Sequence, residues 1–194
     1  MARTKVFDED LILEKAMNLF WKKGYNATSA QDLVDYLGIS RSSLYDTYGD
    51  KHSLFVKALK QYRKERIDPV INGMDKAEDI EAYIRNVFEV VKIEALSEER
   101  SKGCFMVNAA VELAPVDDEV ATIANSIMRD TENAITKAIK KGQQQGLFTT
   151  DHSARSLARF AFNSLNGLRV TIKFDASKRM FDDIVNVCLA ALKV

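Results

Sequence analysis

A short stretch near the N-terminus, "GISRSSLYDTYG" (residues 38–49), combines small hydroxyl side chains, tyrosines and a single arginine. Serines at the start of a helix can hydrogen-bond phosphate oxygens or base edges without steric bulk, and the free backbone N–H groups there attract anions. Arg41, in the first turn, can donate two parallel hydrogen bonds to O6 and N7 of guanine, and tyrosine hydroxyls can reach phosphates further along the helix. These residue types and their spacing therefore predict contact with a nucleic acid.

Two short helices separated by "LGIS" would position this stretch. The first is expected to begin at Thr28 or Ser29, because each has a polar partner three residues on that fits a capping box, and to end at Gly38. The second is expected to begin at Ser40. This arrangement fits a helix-turn-helix motif, whose second helix enters the major groove by its N-terminal end. The residues expected in the core of this unit are Leu44 and Tyr48.

Composition limits the class of protein. The 194 residues include only 8 Gly and 2 Pro, which favours long helices over strands and turns. Basic and acidic residues balance at 28 each, so a nucleic-acid contact must be local. Two cysteines do not make a disulfide framework, the N-terminus becomes acidic too early for a signal peptide, and no apolar run approaches roughly 18 residues. We therefore predict a soluble, cytoplasmic protein with no membrane partner.

The rest of the chain also has helical periodicity, and the predicted fold class is all-α with about nine helices. A three-helix head, residues 1–50, would precede a larger helical body, residues 51–194, with a fourth helix joining the two. Pro69 and the "NGMDK" that follows it are expected to mark an internal boundary. Later helices are expected over 78–96, 104–114, 118–145, 153–174 and 179–192, and the apolar stripe of the first of these over Tyr83, Val87, Val90 and Val91.

Residues 8–62 resemble the DNA-binding head of the TetR/AcrR family of transcriptional regulators. The family pattern combines an LF-x-x-x-GY step with a T-S helix start, then G-(I/V)-S, S/T-L-Y, an aromatic residue and a lysine. This sequence departs from it at Ser42, where many members carry glycine or proline, and at Thr47, where many carry histidine. The matching residues are Leu19, Phe20, Gly24, Tyr25, Thr28, Ser29, Gly38, Ile39, Ser40, Ser43, Leu44, Tyr45, Tyr48 and Lys51.

The resemblance implies a repressor that binds double-stranded DNA at a palindromic operator. Residues 1–51 hold seven basic and eight acidic side chains, so we expect modest non-specific affinity and reliance on a dimer with two heads. Asp46 would repel phosphate, although it can accept a hydrogen bond from the cytosine amino group. The residues expected to contact bases or the adjacent backbone are Arg41, Ser42, Ser43, Tyr45, Asp46 and Thr47. Those expected to contact phosphate are Thr28, Ser29 and Lys51.

For the body, the resemblance implies a homodimer formed through the last two long helices and a cavity for a small-molecule effector behind the fourth helix. Helical spacing of apolar residues in the last two helices agrees with such a seam. The expected dimer residues are Leu157, Phe160, Ala161, Leu165, Leu168, Phe181, Ile184, Val185 and Cys188. The expected ligand-binding residues are Tyr62, Tyr83, Val87, Cys104, Phe105, Asn108, Glu112 and Phe160.

Alternatives to an inducible repressor remain open. Cys104 lies near a helix start with Arg100 and Lys102 close in sequence, so it could be a redox or electrophile trigger instead of an inert buried thiol. A ligand-independent DNA-binding protein is a further alternative. Asn108 and Glu112 could instead face solvent or hydrogen-bond neighbouring helices. His52 and His152 are expected to be far apart, and no Cys–His pair, metal-spaced cluster or glycine-rich phosphate loop occurs. We therefore predict no enzymatic activity, no metal and no cofactor.

Overall fold

The computed structural model describes residues 7–96, 102–174 and 177–193, which form α-helices with no strand. These ranges contain ten α-helices. A π-helical segment, Arg63–Ile67, joins the fourth to the fifth without a break, so the ten make nine continuous helices. The predicted all-α class is therefore confirmed. The helices are α1 Glu9–Lys23, α2 Ala30–Leu37, α3 Arg41–Tyr48, α4 Lys51–Tyr62, α5 Asp68–Lys76, α6 Ile80–Leu96, α7 Phe105–Leu113, α8 Asp118–Gln144, α9 Ala154–Thr171 and α10 Lys178–Ala190.

The helix starts of the head are fixed by capping side chains. Ser29 caps α2 in a full capping box with Asp32, which decides between the two predicted frames. Ser40 caps α3, and Asp50 caps α4 by accepting a hydrogen bond from the Ser53 backbone N–H at 2.6 Å. Gly38 ends α2 in the left-handed conformation, φ 70°, which glycine adopts without strain. The second and third helices of the head therefore begin where the sequence predicts.

The expected boundary at Pro69 is wrong. Pro69 lies in the first turn of α5, and the helix that continues from α4 through the π-helical segment runs on through "NGMDK". Arg63, in the π-helical segment, ties that segment to α8. Its guanidinium donates to Ser126 at 3.1 Å and to Asp130 at 2.6 Å, as well as to Asp68 at 3.1 Å.

The body has its own core, in which α8 and α9 pack on each other and α6 and α10 pack against α9. The predicted apolar stripe of α6 is partly wrong. Val91 is buried as expected, but Tyr83 and Val87 only flank the core and Val90 is exposed. The helix rotates by about a third of a turn from the predicted face, because phenylalanine and isoleucine bury more apolar area than valine. Its buried residues are Ile80, Ile84, Phe88 and Val91.

A second core joins the head to the body. The Phe55 ring of α4 packs edge-on against Phe20 of α1, with centroids 5.1 Å apart, and against Phe105 of α7, with centroids 5.5 Å apart. Trp21 packs in the same way on Tyr62 at 5.1 Å. Because one continuous core spans residue 50, the division into 1–50 and 51–194 stays a prediction about function and does not correspond to a break in packing. The loop predicted before α7 lies mostly outside the described residues.

Candidate nucleic-acid interface

The N-terminus of α3 presents a cluster of hydroxyls. The Ser40 hydroxyl accepts a hydrogen bond from the Ser43 backbone N–H at 3.1 Å and lies 3.0 Å from the Ser42 hydroxyl. It also donates to the Ser43 hydroxyl at 2.9 Å. Ser42 is exposed and Ser43 half-buried. Small polar groups therefore surround the helix end at which backbone N–H groups favour an anion.

Arg41 is exposed in the first turn of α3, and its guanidinium has no hydrogen-bond or ion-pair partner among the described residues. Its five N–H donors are therefore available to an external acceptor. Asp46 is exposed further along the same helix, while Tyr45 and Thr47 are half-buried. This surface carries donors and acceptors but only one cation.

The opposite face of α3 anchors it in the head, as predicted. Leu44 and Tyr48 are buried, and the Tyr48 hydroxyl donates to the Glu9 backbone carbonyl at 2.9 Å. Burial, reinforced by the carboxylates at the start of α1, raises the pKa of Tyr48 to about 12. The buried residues Leu44 and Tyr48 thus fix the orientation in which α3 exposes its other face.

The expectation that Thr28 contacts phosphate is wrong. Its side chain is fully buried, and its hydroxyl donates to the Gly24 carbonyl at 2.6 Å, closing the turn between α1 and α2. Ser29 is exposed, but its hydroxyl and backbone N–H both bond Asp32. Hydrogen bonds from Lys23 and Ser29 hold the pKa of Asp32 well below its usual range. The hydroxyl and the backbone N–H of Ser29, which a phosphate contact would need, are therefore already used in capping α2.

Lys51 ties α4 to the head. Its ammonium group donates to the Thr28 backbone carbonyl at 2.7 Å and lies 4.1 Å from the centroid of the Tyr25 ring. Burial lowers the pKa of Lys51, although Glu112 and Asp32 favour its charged form. A phosphate contact by Lys51 stays a proposal, because it requires the remaining N–H groups of an amine that already stabilises the head.

The helix α3 has an exposed N-terminus, a three-residue turn joins it to the capped helix α2, and a third helix packs behind both. This arrangement defines a helix-turn-helix DNA-binding regulator. The family model for bacterial regulatory proteins of the tetR family matches residues 12–58, and a model for the tetracyclin repressor-like C-terminal domain matches residues 78–187. The chain belongs to the tetR family of transcriptional regulators. This is a family of regulators and not of enzymes.

Relatives match over almost the whole chain. The uncharacterized HTH-type transcriptional regulator YezE of Bacillus subtilis is 34% identical, over 99% of this chain and 100% of its own length. The HTH-type transcriptional repressor ComR of Escherichia coli is 28% identical, over 96% and 90%. A cysteine mutant of the TetR family regulator CifR, solved with 26-bp operator DNA, superposes with a TM-score of 0.86 at 25% identity, over 98% of this chain and 100% of its own.

The expected ligand-binding residues do not surround one cavity. Tyr62, Cys104 and Phe105 are buried in the core shared with the head, where the Cys104 thiol lies 3.4 Å from the Tyr62 hydroxyl. Tyr83 and Val87 flank the separate core of the body. Phe160 is 45% exposed on α9. These residues lie on apolar helix faces as expected, but the faces belong to two separate cores.

Asn108 and Glu112 line one cleft and also hydrogen-bond neighbouring elements. Asn108 donates to the Lys102 carbonyl at 2.7 Å and accepts from Lys173 at 2.6 Å. Glu112 accepts from the backbone N–H of Tyr25 at 3.0 Å and of Asn26 at 2.7 Å, just past the end of α1. An added Cβ at Gly24 would lie 3.1 Å from the Glu112 carboxylate. Glu112 is therefore a bridge between body and head.

The expected dimer residues are mostly core residues of the chain itself. Only Phe160 and Ile184 among them are exposed, at 45% and 36%. Val187 is 66% exposed on α10, and Gly167, in α9, has nothing within 4 Å of its Cβ position. The residues that are buried and so wrong as surface contacts are Leu157, Ala161, Leu165, Leu168, Phe181, Val185 and Cys188.

Among the described residues, no three His, Cys, Asp or Glu side chains are grouped to hold a metal ion. No helix in the described segments has the length and apolar composition needed to span a bilayer. His52, in α4, pairs instead with Asp117, the N-cap of α8, at 2.7 Å.

Proposed function

We propose that this protein is a homodimeric transcriptional repressor that binds a palindromic operator through α3 and is released by a small molecule. The observation that carries the proposal is the free, exposed Arg41 at the hydroxyl-lined N-terminus of α3. Similarity to proteins named as repressors in Escherichia coli and Mycobacterium, and to a regulator solved with operator DNA, supports it. Arg41 reads guanine, while Ser42, Ser43, Tyr45, Asp46 and Thr47 contact neighbouring bases or backbone.

Dimerisation uses the exposed apolar face of α9 and α10, defined by Phe160, Gly167, Ile184 and Val187. These residues are exposed in the single chain, whereas their neighbours on the same helices form its core. A two-fold dimer presents two copies of α3 to successive major-groove segments about 34–36 Å apart. Two heads compensate for the weak charge of each.

The test is selection of bound sequences from a random duplex library, followed by operator titration of Arg41→Ala. The matched control is Arg129→Ala, at an exposed arginine of α8. A bidentate arginine–guanine pair contributes about 1–3 kcal/mol, so each half-site should lose roughly fivefold or more in affinity. We expect a palindrome whose affinity falls in Arg41→Ala and not in the control. Failure to enrich any site at low salt would refute the proposal.

Release by a thiol reaction at Cys104 is the second candidate mechanism. The Arg169 guanidinium lies 3.6 Å from the Cys104 sulfur. The thiol is buried, however, so an electrophile must first open the core around Tyr62. Cys104→Ser should abolish release by an inducing electrophile if this mechanism operates, and release that persists in the variant would exclude it.

A further inference from the structure

A cleft of about 350 Å³ lies where the head meets the body, between the C-terminal end of α1, one face of α7 and the C-terminal end of α9. Its apolar wall is formed by Trp21, Val107, Val111 and Val170. The Trp21 indole N–H donates to the Gly103 carbonyl at 3.0 Å, so the ring offers the cleft only apolar surface. Val111 and Val170 are 76% and 44% exposed, which leaves this wall open to an apolar group from solvent.

The rim of the cleft is cationic. Lys22 and Lys173 line it from the head side and the body side, and no carboxylate among the described residues lies within ion-pair distance of either. Lys173 donates only to the neutral Asn108 side chain. The one carboxylate in the lining, Glu112, is already bonded to two backbone N–H groups. The cleft therefore has an excess of positive charge beside apolar surface.

We propose that this cleft binds a small amphipathic anion, a carboxylate attached to an apolar chain or ring. The carboxylate is held between Lys22 and Lys173, and the apolar body lies against Trp21, Val111 and Val170. The volume is within the range of small-molecule sites, about 300–1,000 Å³. Charge complementarity excludes a cation, and the apolar wall gives no advantage to an inorganic anion.

An occupant of this cleft contacts α1 on one side and α7 and α9 on the other. It binds best to the head–body angle that brings both sides together, and differential binding of this kind shifts a conformational equilibrium. This regulatory consequence rests on the proposed function, since it makes the anion an effector of operator binding. The binding site itself does not depend on that function.

Trp21 is the only tryptophan of the chain, so its fluorescence reports on the cleft directly. The experiment titrates the full chain with sodium octanoate and, in parallel, with octylamine and octanol, which carry the same chain with a positive charge or none. We expect a saturable spectral change with octanoate alone. The double variant Lys22→Ala, Lys173→Ala should weaken it about tenfold, because two charge contacts of roughly 1 kcal/mol or less are removed.

The control variant is Lys140→Ala, at an exposed lysine of α8, which should bind octanoate like the wild type. Val111→Glu keeps the core intact, since Val111 is exposed, and places a negative charge in the cleft, so it should abolish binding. An equal response to octanol and octylamine, or equal octanoate affinity in the double variant, would overturn the site. So would an unchanged spectrum with octanoate.

Operator titration separates this inference from the proposed function. Without octanoate, the cleft variants should bind the selected operator as the wild type does. With saturating octanoate, the operator Kd of the wild type should change at least threefold and that of Val111→Glu should not. An unchanged wild-type Kd would refute the effector role, and absence of any operator would refute the proposed function while leaving octanoate binding to be judged by fluorescence.

Discussion

Replacing Glu112 with glutamine is expected to loosen the head from the body while keeping the side-chain volume. Both carboxylate oxygens of Glu112 are in use, one accepting from the Tyr25 N–H at 3.0 Å and the other from the Asn26 N–H at 2.7 Å. Glutamine offers one acceptor oxygen, so one of the two N–H groups faces an amide NH₂ instead. The body then holds the end of α1 by one neutral hydrogen bond.

The size of the effect follows from the exposure of the site. A hydrogen bond to a charged group contributes about 1.5–3 kcal/mol when buried, and water replaces part of that at a half-buried position. We therefore expect the free energy of unfolding to fall by about 1–2 kcal/mol. For a chain of this length the melting temperature should drop by roughly 3–6 °C. Glu14→Gln, at an exposed glutamate of α1, is the matched control and should stay within about 0.5 kcal/mol.

Hydrogen exchange gives the decisive readout. In Glu112→Gln, the backbone amides of Tyr25 and Asn26 should exchange at least tenfold faster, while those in the middle of α8 keep their rates. Urea denaturation of variant and control measures the stability difference. Unchanged protection at both amides, with a stability equal to that of the control, would show that Glu112 does not hold the head and would refute the reasoning.

Two other predictions concern α3 and the dimer. Because the pKa of folded Tyr48 is raised from 10 to about 12, its contribution is complete below pH 10 and is lost as the pH rises through 12. Tyr48→Phe also loses the hydrogen bond to the Glu9 carbonyl, so urea denaturation should show the variant less stable than the wild type by about 1 kcal/mol at neutral pH. This stability difference should shrink between pH 10 and 12. Val187→Glu should give a folded monomer in light scattering, whereas Val116→Glu, also at an exposed valine, should stay dimeric; a dimeric Val187→Glu would locate the interface elsewhere.

Local rules explain what the sequence predicted well. The starts of α2, α3 and α4 follow from Ser29, Ser40 and Asp50, because a cap satisfies backbone N–H groups within three residues and needs no tertiary information. Leu44 and Tyr48 were assigned to the core on the same local basis, since residues four apart share a helix face. Helix caps and shared helix faces, which depend only on residues within about one turn, can therefore be predicted from sequence.

Contacts between residues far apart in sequence could not be predicted in this way. Helical spacing marked Leu165 and Val185 as apolar-face residues but could not tell the core of one chain from a surface between two. Glu112 faces a cleft as predicted, but its partners at Tyr25 and Asn26 could not be identified from sequence, because they are 87 and 86 residues away. Thr28 was predicted to be a surface hydroxyl, but the turn that follows Gly24 buries it, and the hydroxyl bonds the Gly24 carbonyl.

These distant contacts give the head two separate attachments to the body. One runs through α4, whose π-helical end is fixed to α8 by the bonds from Arg63 to Ser126 and Asp130. The other runs from the end of α1 through Glu112 to α7. The aromatic core and the hydrogen bond from Trp21 to Gly103 hold the head as well. An effector that moves α3 must bind unequally to states that differ at one or more of these contacts. The cleft beside Glu112 lies at one of them.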